Sequence, residues 1–149
     1  MTLDEVSDRL EIQEVMARYC QTIDRGDWDS FRSLFTANAV LDFTAFGGPV
    51  GDVETLIAFI QPALASAKAS HHMVSTVVID LDGDTANVRS AGHVPITLAL
   101  PQDGEHTSFS GLWYNDVFVR TSTGWRIKSR QQERAWTFNM PPALDAPAE

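Results

Sequence analysis

Cysteine is almost absent. Cys20 is the only one among 149 residues, so no intrachain disulfide is possible and a reducing compartment is expected. Cations are scarce too: 11 Lys and Arg stand against 20 Asp and Glu, a formal net charge of −9. No Lys/Arg run occurs, and a surface of this sign repels phosphate backbones, so nucleic acid is not expected as a partner. No apolar run approaches the ~20 residues a bilayer span needs. The opening segment MTLDEVSDRLEIQEV is charged where a signal peptide would be apolar. A cytoplasmic protein without membrane contact is the expectation. The chain also lacks a Gly-rich phosphate loop, a nucleophile elbow and a dinucleotide fingerprint, which argues against nucleotide, flavin and nicotinamide chemistry. Its four His are scattered without ligand spacing, so neither a metal nor another cofactor is expected.

What is present suits one globular domain: 44% hydrophobic and 21% charged residues. From Leu3 to Ile23, apolar residues recur at helical spacing: Val6, Leu10, Met16, Tyr19 and Ile23, with Ile12 and Val15 widening the stripe. Gly26 ends that helix. Asp27 caps a short second helix carrying Trp28, Phe31, Leu34 and Phe35. Asp52 caps a third with Val53, Leu56, Ile57, Ile60 and Leu64 on its apolar side. A short strand is expected over 39–43. Four long strands follow, over 73–81, 86–100, 108–121 and 125–138. Asp82-Gly83-Asp84, Pro101-Gln102-Asp103-Gly104 and Ser122-Thr123-Gly124 are the hairpin turns between them. Residues 141–149 read as a loose tail rich in Pro and Ala. Helices first and a meander of strands afterwards is an α+β pattern. A strongly bent antiparallel sheet over the helices would leave a concave interior.

Several side chains could serve chemistry in that interior. Asp24 closes the first helix, where the negative end of the helix dipole and burial would both raise its pKa. Read by itself, it is more often a solvated turn aspartate. His71 and His72 are neighbours on a strand, so one faces inward and the other outward. Tyr19 lies on the apolar stripe. His93 is a further polar candidate for the pocket wall. Phe43, Phe46, Met73, Trp113, Phe118 and Trp136 are candidates to line a pocket for a flat or alicyclic molecule. Arg130 and Arg134 are the candidate cations at its rim.

The run Tyr19-Cys20-Gln21-Thr22-Ile23-Asp24-Arg25-Gly26-Asp27-Trp28 resembles the first helix-turn-helix of SnoaL-like domains, within the nuclear-transport-factor-2-like (NTF2-like) superfamily. Asn115-Asp116-Val117-Phe118-Val119-Arg120 with Gly124-Trp125-Arg126-Ile127 is similar to the last hairpin of those domains. The resemblance spans about Leu3 to Phe138. It implies a cone-shaped α+β barrel over 1–140, in which N-terminal helices pack in a strongly curved, mostly antiparallel sheet enclosing an apolar pocket. Within the superfamily the pattern is nearest the dehydratase-like branch of scytalone dehydratases, hexachlorocyclohexane dehydrochlorinases and bile acid 7α-dehydratases. That branch carries an Asp after the first helix and a His at the start of a central strand, matched here by Asp24 and His72, and Tyr19 matches a further residue of it. A second pocket tyrosine of the branch falls near Phe43, and polar residues of its penultimate strand fall near Leu112 and Tyr114, both departures.

The resemblance implies a cofactor-free lyase, with catalytic Asp24, His72 and Tyr19, acting by elimination on a small hydrophobic cyclic molecule. It leaves two alternatives open: an isomerase or cyclase akin to SnoaL and ketosteroid isomerase, and a non-catalytic module akin to dioxygenase β subunits. A homo-oligomer, dimer or trimer, accompanies all three.

Overall fold

The computed structural model describes residues 1–140; the expected tail at 141–149 lies outside them. Helix α1 (Leu3–Arg25) starts in a capping box of Thr2 and Glu5 and stops at Gly26, whose φ of 66° is the left-handed conformation glycine adopts without strain. Helix α2 (Trp28–Arg32) is capped by Asp27, and α3 (Val53–Ser66) by Asp52. Gly26, Asp27 and Asp52 stand where the sequence signals put them.

Seven strands of the described residues form one sheet: β1 (Phe35–Asp42), β2 (Val50–Gly51), β3 (Ala67–Ser70), β4 (Met73–Asp82), β5 (Thr85–Ala99), β6 (Glu105–Thr121) and β7 (Gly124–Phe138). The order is β2-β1-β7-β6-β5, with β3 and β4 both paired to the far side of β5. The β1–β7 pair is parallel and the others are antiparallel, so the sheet is mixed. The sheet is not closed, and with the helices it makes the α+β cone that the resemblance implies.

The core lies between the concave side of the sheet and the helices. On α1 it takes Ile12, Val15, Met16, Tyr19, Cys20 and Ile23, whereas Val6 and Leu10 are exposed. Asp8 holds the inward position in their place, bonding Arg120 and the Trp125 indole. On β5 the even-numbered residues Ala86, Val88, Ser90, Gly92 and Val94 point inward.

Strand β7 breaks simple alternation twice. Phe118 pairs with Ile127 but Val117 with Ser129, so Lys128 is an extra residue. Leu112 pairs with Arg134 but Gly111 with Trp136, so Ala135 is another. Each bulge reverses which face the following residues use. The first turns Arg130, Gln132 and Arg134 to the concave side. The second turns Trp136 out.

Candidate active site

The last turn of α1 and the start of β4 meet at Asp24. Its carboxylate accepts three hydrogen bonds. The His72 backbone N–H reaches Oδ2 at 2.7 Å, His72 Nδ1 lies 2.6 Å from Oδ1, and the Ser70 hydroxyl donates to Oδ1 at 2.9 Å. A carboxylate only accepts, so Nδ1 carries the proton of a neutral His72 and Nε2 keeps its lone pair. Both side chains are nearly buried, His72 at 10% and Asp24 at 16% exposure. His71 is exposed.

The expected rise in the Asp24 pKa is overturned. Burial does push it up, but the His72 hydrogen bonds and charge, with Ser70, outweigh that and hold it below the ordinary carboxylate value. Asp24 is therefore an ionised, fully engaged acceptor and a weak base.

His72 lines a cavity of about 210 Å³. Around it stand Tyr19 and Ile23 from α1, Phe43 and Phe46 from the segment after β1, Ile60 and Leu64 from α3, and Val94, Leu112 and Gln132 from the sheet. Tyr19 forms part of the wall with its ring fixed from behind. The Arg130 guanidinium carbon lies 4.1 Å from the centroids of both Tyr19 and Tyr114. Burial raises the Tyr19 pKa against the opposing charge of Arg130, so its hydroxyl stays protonated at neutral pH.

Arg130 is not a rim cation. It is 1% exposed and held by Asp116 through two bonds of 2.8 and 2.7 Å. Burial works against its charge, and Asp116 outweighs that and keeps its pKa above the usual arginine value. Arg134 donates to Thr137, and its guanidinium lies 5.9 Å from the Phe46 ring centroid. Cys20, behind the wall, has its pKa pushed up to about 11 by burial, so it is no nucleophile at neutral pH.

Of the residues singled out in the sequence, the fold brings Asp24, His72, Tyr19, Phe43 and Phe46 together at this cavity. The others lie elsewhere. Met73 pairs with His93 on the outer face, where His93 also meets the Trp136 ring. Trp113 faces outward beneath Arg89. Phe118 is fully buried but does not line the cavity. Met73, His93, Trp113 and Trp136 are excluded from the cavity by strand parity, the last through the bulge at Ala135. Sequence reasoning missed Ser70, Asp116, Ser110 and Gln132. Ser70, in Ser70-His71-His72, was the legible one, a hydroxyl two residues before the candidate base. Gln132 had no local signal, because the bulge at Lys128 decides its face.

A family model described as a SnoaL-like domain matches residues 4–131. The uncharacterized protein Rv2910c of Mycobacterium tuberculosis is 35% identical over 136 residues, 91% of each chain. Among solved structures, a candidate scytalone dehydratase from Novosphingobium aromaticivorans superposes with a TM-score of 0.83 at 17% identity, covering 99% of this chain and 97% of its own. A type 2 hexachlorocyclohexane dehydrochlorinase (LinA) superposes at 0.77 with 14% identity, covering 97% of each chain. At these identities the likeness is one of fold.

Proposed function

The chain belongs to the SnoaL-like domain family, and on that premise we propose that it is a cofactor-free lyase eliminating water or another β-leaving group from a small hydrophobic ring compound. The observation that carries this reading is the 2.6 Å contact of Asp24 with His72 Nδ1, which leaves Nε2 as the basic nitrogen of a residue lining an apolar cavity. The family's dehydratase-like structural neighbours support it.

In this mechanism His72 Nε2 removes a proton from carbon beside an activating group. The C–H electron pair forms the new double bond as the β-leaving group departs with its own pair. Asp24 holds the imidazole in the required tautomer and stabilises the imidazolium that forms. Tyr19, protonated at neutral pH, gives its proton to a departing oxygen and recovers one from His72. The apolar walls keep bulk water from the reacting carbon.

An aspartate base of the isomerase kind is disfavoured, because all of the charge on Asp24 is turned towards His72 and Ser70. Association into a homo-oligomer forms part of the proposal, supported by Val78, Trp136 and Phe138 being 59%, 46% and 65% exposed.

The test is a panel of cyclic alcohols and halides with an activating group, followed by absorbance of the unsaturated product. On any compound turned over, Asp24→Asn and His72→Ala each lower kcat/KM by about 10²- to 10⁴-fold, with circular dichroism unchanged. Full activity in a folded Asp24→Asn variant would overturn the mechanism.

A further inference from the structure

The cavity wall is apolar except at four side chains: Tyr19, His72, Ser110 and Gln132. Tyr19 and His72 have roles in the elimination. The Ser110 hydroxyl is directed at the Met140 sulfur, 3.9 Å away. Gln132 is different. It sits across the sheet from Tyr114, on the concave side of β7, while its neighbour Gln131 faces out towards Asp42. Its side-chain amide makes no hydrogen bond to another described residue. An amide brings two donors and one acceptor, and a ligand that shut this one off from water without meeting them would bind unfavourably. Leucine or methionine would pack the same space without that cost.

A second observation narrows what could meet the amide. Among the described residues lining the cavity there is no Asp, Glu, Lys or Arg. Asp24 stands behind His72, and Arg130 is neutralised by Asp116 beneath the tyrosines. A charged ligand group would enter without a counter-ion, at a large desolvation cost. The ligand group at Gln132 is therefore neutral and accepts or donates through oxygen. A cavity of about 210 Å³ is somewhat larger than the ~150 Å³ that holds benzene in an apolar protein site. It suits a six-membered ring with a fused or pendant addition.

We propose that Gln132 is the polar anchor of this cavity, donating from Nε2 to the carbonyl oxygen of a neutral ring ketone. Its catalytic consequence rests on the elimination reading. As His72 takes the proton α to that carbonyl, the C–H pair moves into an enolate and charge gathers on the oxygen. A fixed amide donor stabilises that charge more than it stabilises the ground-state carbonyl. The enolate pair then forms the carbon–carbon double bond and expels the β-substituent, so the product is an enone plus the protonated leaving group.

The experiment measures binding and needs no turnover. The probes are 2-tetralone and its hydrocarbon counterpart tetralin, titrated by NMR chemical-shift perturbation into the wild-type protein, Gln132→Leu and His72→Ala. The wild type binds the ketone about tenfold more tightly than the hydrocarbon, the worth of one net hydrogen bond. In Gln132→Leu the ratio falls to about one, tetralin binds at least as well as before, and the melting temperature does not drop. His72→Ala keeps the preference for the ketone. An unchanged ratio in Gln132→Leu overturns the assignment, as does a wild type that binds neither probe or shows no preference. A lost elimination reading looks different: the ketone preference and its dependence on Gln132 persist while no compound is turned over.

Discussion

Asp24 shows how one residue changes meaning with its surroundings. At the end of a helix it faces an unfavourable dipole, and the sequence suggests a raised pKa. The fold supplies three donors instead, and they reverse the direction. A carboxylate whose folded-state pKa lies below its unfolded value contributes stability that is complete above that unfolded value, about 3.9. The contribution is lost as pH falls through the folded value. The melting temperature of the wild type therefore exceeds that of Asp24→Asn most at neutral pH. The gap closes below about pH 4, as thermal melts across that range will show. A gap independent of pH would mean that Asp24 is not held as an ionised acceptor. That Asp24 and His72 meet was not readable from spacing, since 48 positions separate them. The family resemblance alone pointed to the pair.

At the scale of elements, helix caps and hairpin turns were legible because each is local. Gly26, Asp27 and Asp52 do their work within a few residues of themselves. The inner face of β7 was not legible. Its period of two, with Trp125 and Ile127 inside, predicts Arg130 and Gln132 outside; the bulge at Lys128 turns both inward, and the bulge at Ala135 returns Trp136 to the outside. A bulge depends on the partner strand, so one strand's sequence does not announce it. The short strands β2 and β3 were missed for the same reason, as they exist only through their pairing with β1 and β5. Close packing across strands also sets Gly92. A Cβ there would stand 2.7 Å from the Tyr114 ring, the ring that with Tyr19 encloses Arg130. Gly92→Ala is expected to cost about 1–3 kcal/mol in urea denaturation and to disturb the cavity wall.

For the whole molecule, the α+β class followed from element order, while the parallel β1–β7 pair and the open sheet did not. The buried Asp116–Arg130 pair ties the last hairpin to α1 through the Tyr19 ring. Asp116→Ala leaves a guanidinium buried without its partner and is expected to lose about 3–5 kcal/mol of stability. The double replacement Asp116→Leu with Arg130→Met recovers most of that loss, measured by the same denaturation. Equal losses in the single and double variants would show that the pair's charges do not matter to the fold.

The central claim is that His72, oriented by Asp24, takes a proton from carbon inside the cavity. Deuterium exchange tests it most directly: 2-tetralone is held in D2O with catalytic amounts of protein, and loss of its α-proton signals is followed by NMR. Wild-type protein should accelerate exchange over buffer, while His72→Ala and Asp24→Asn should fall back to the buffer rate. Exchange that survives the loss of His72, or a wild type no faster than buffer, would contradict it.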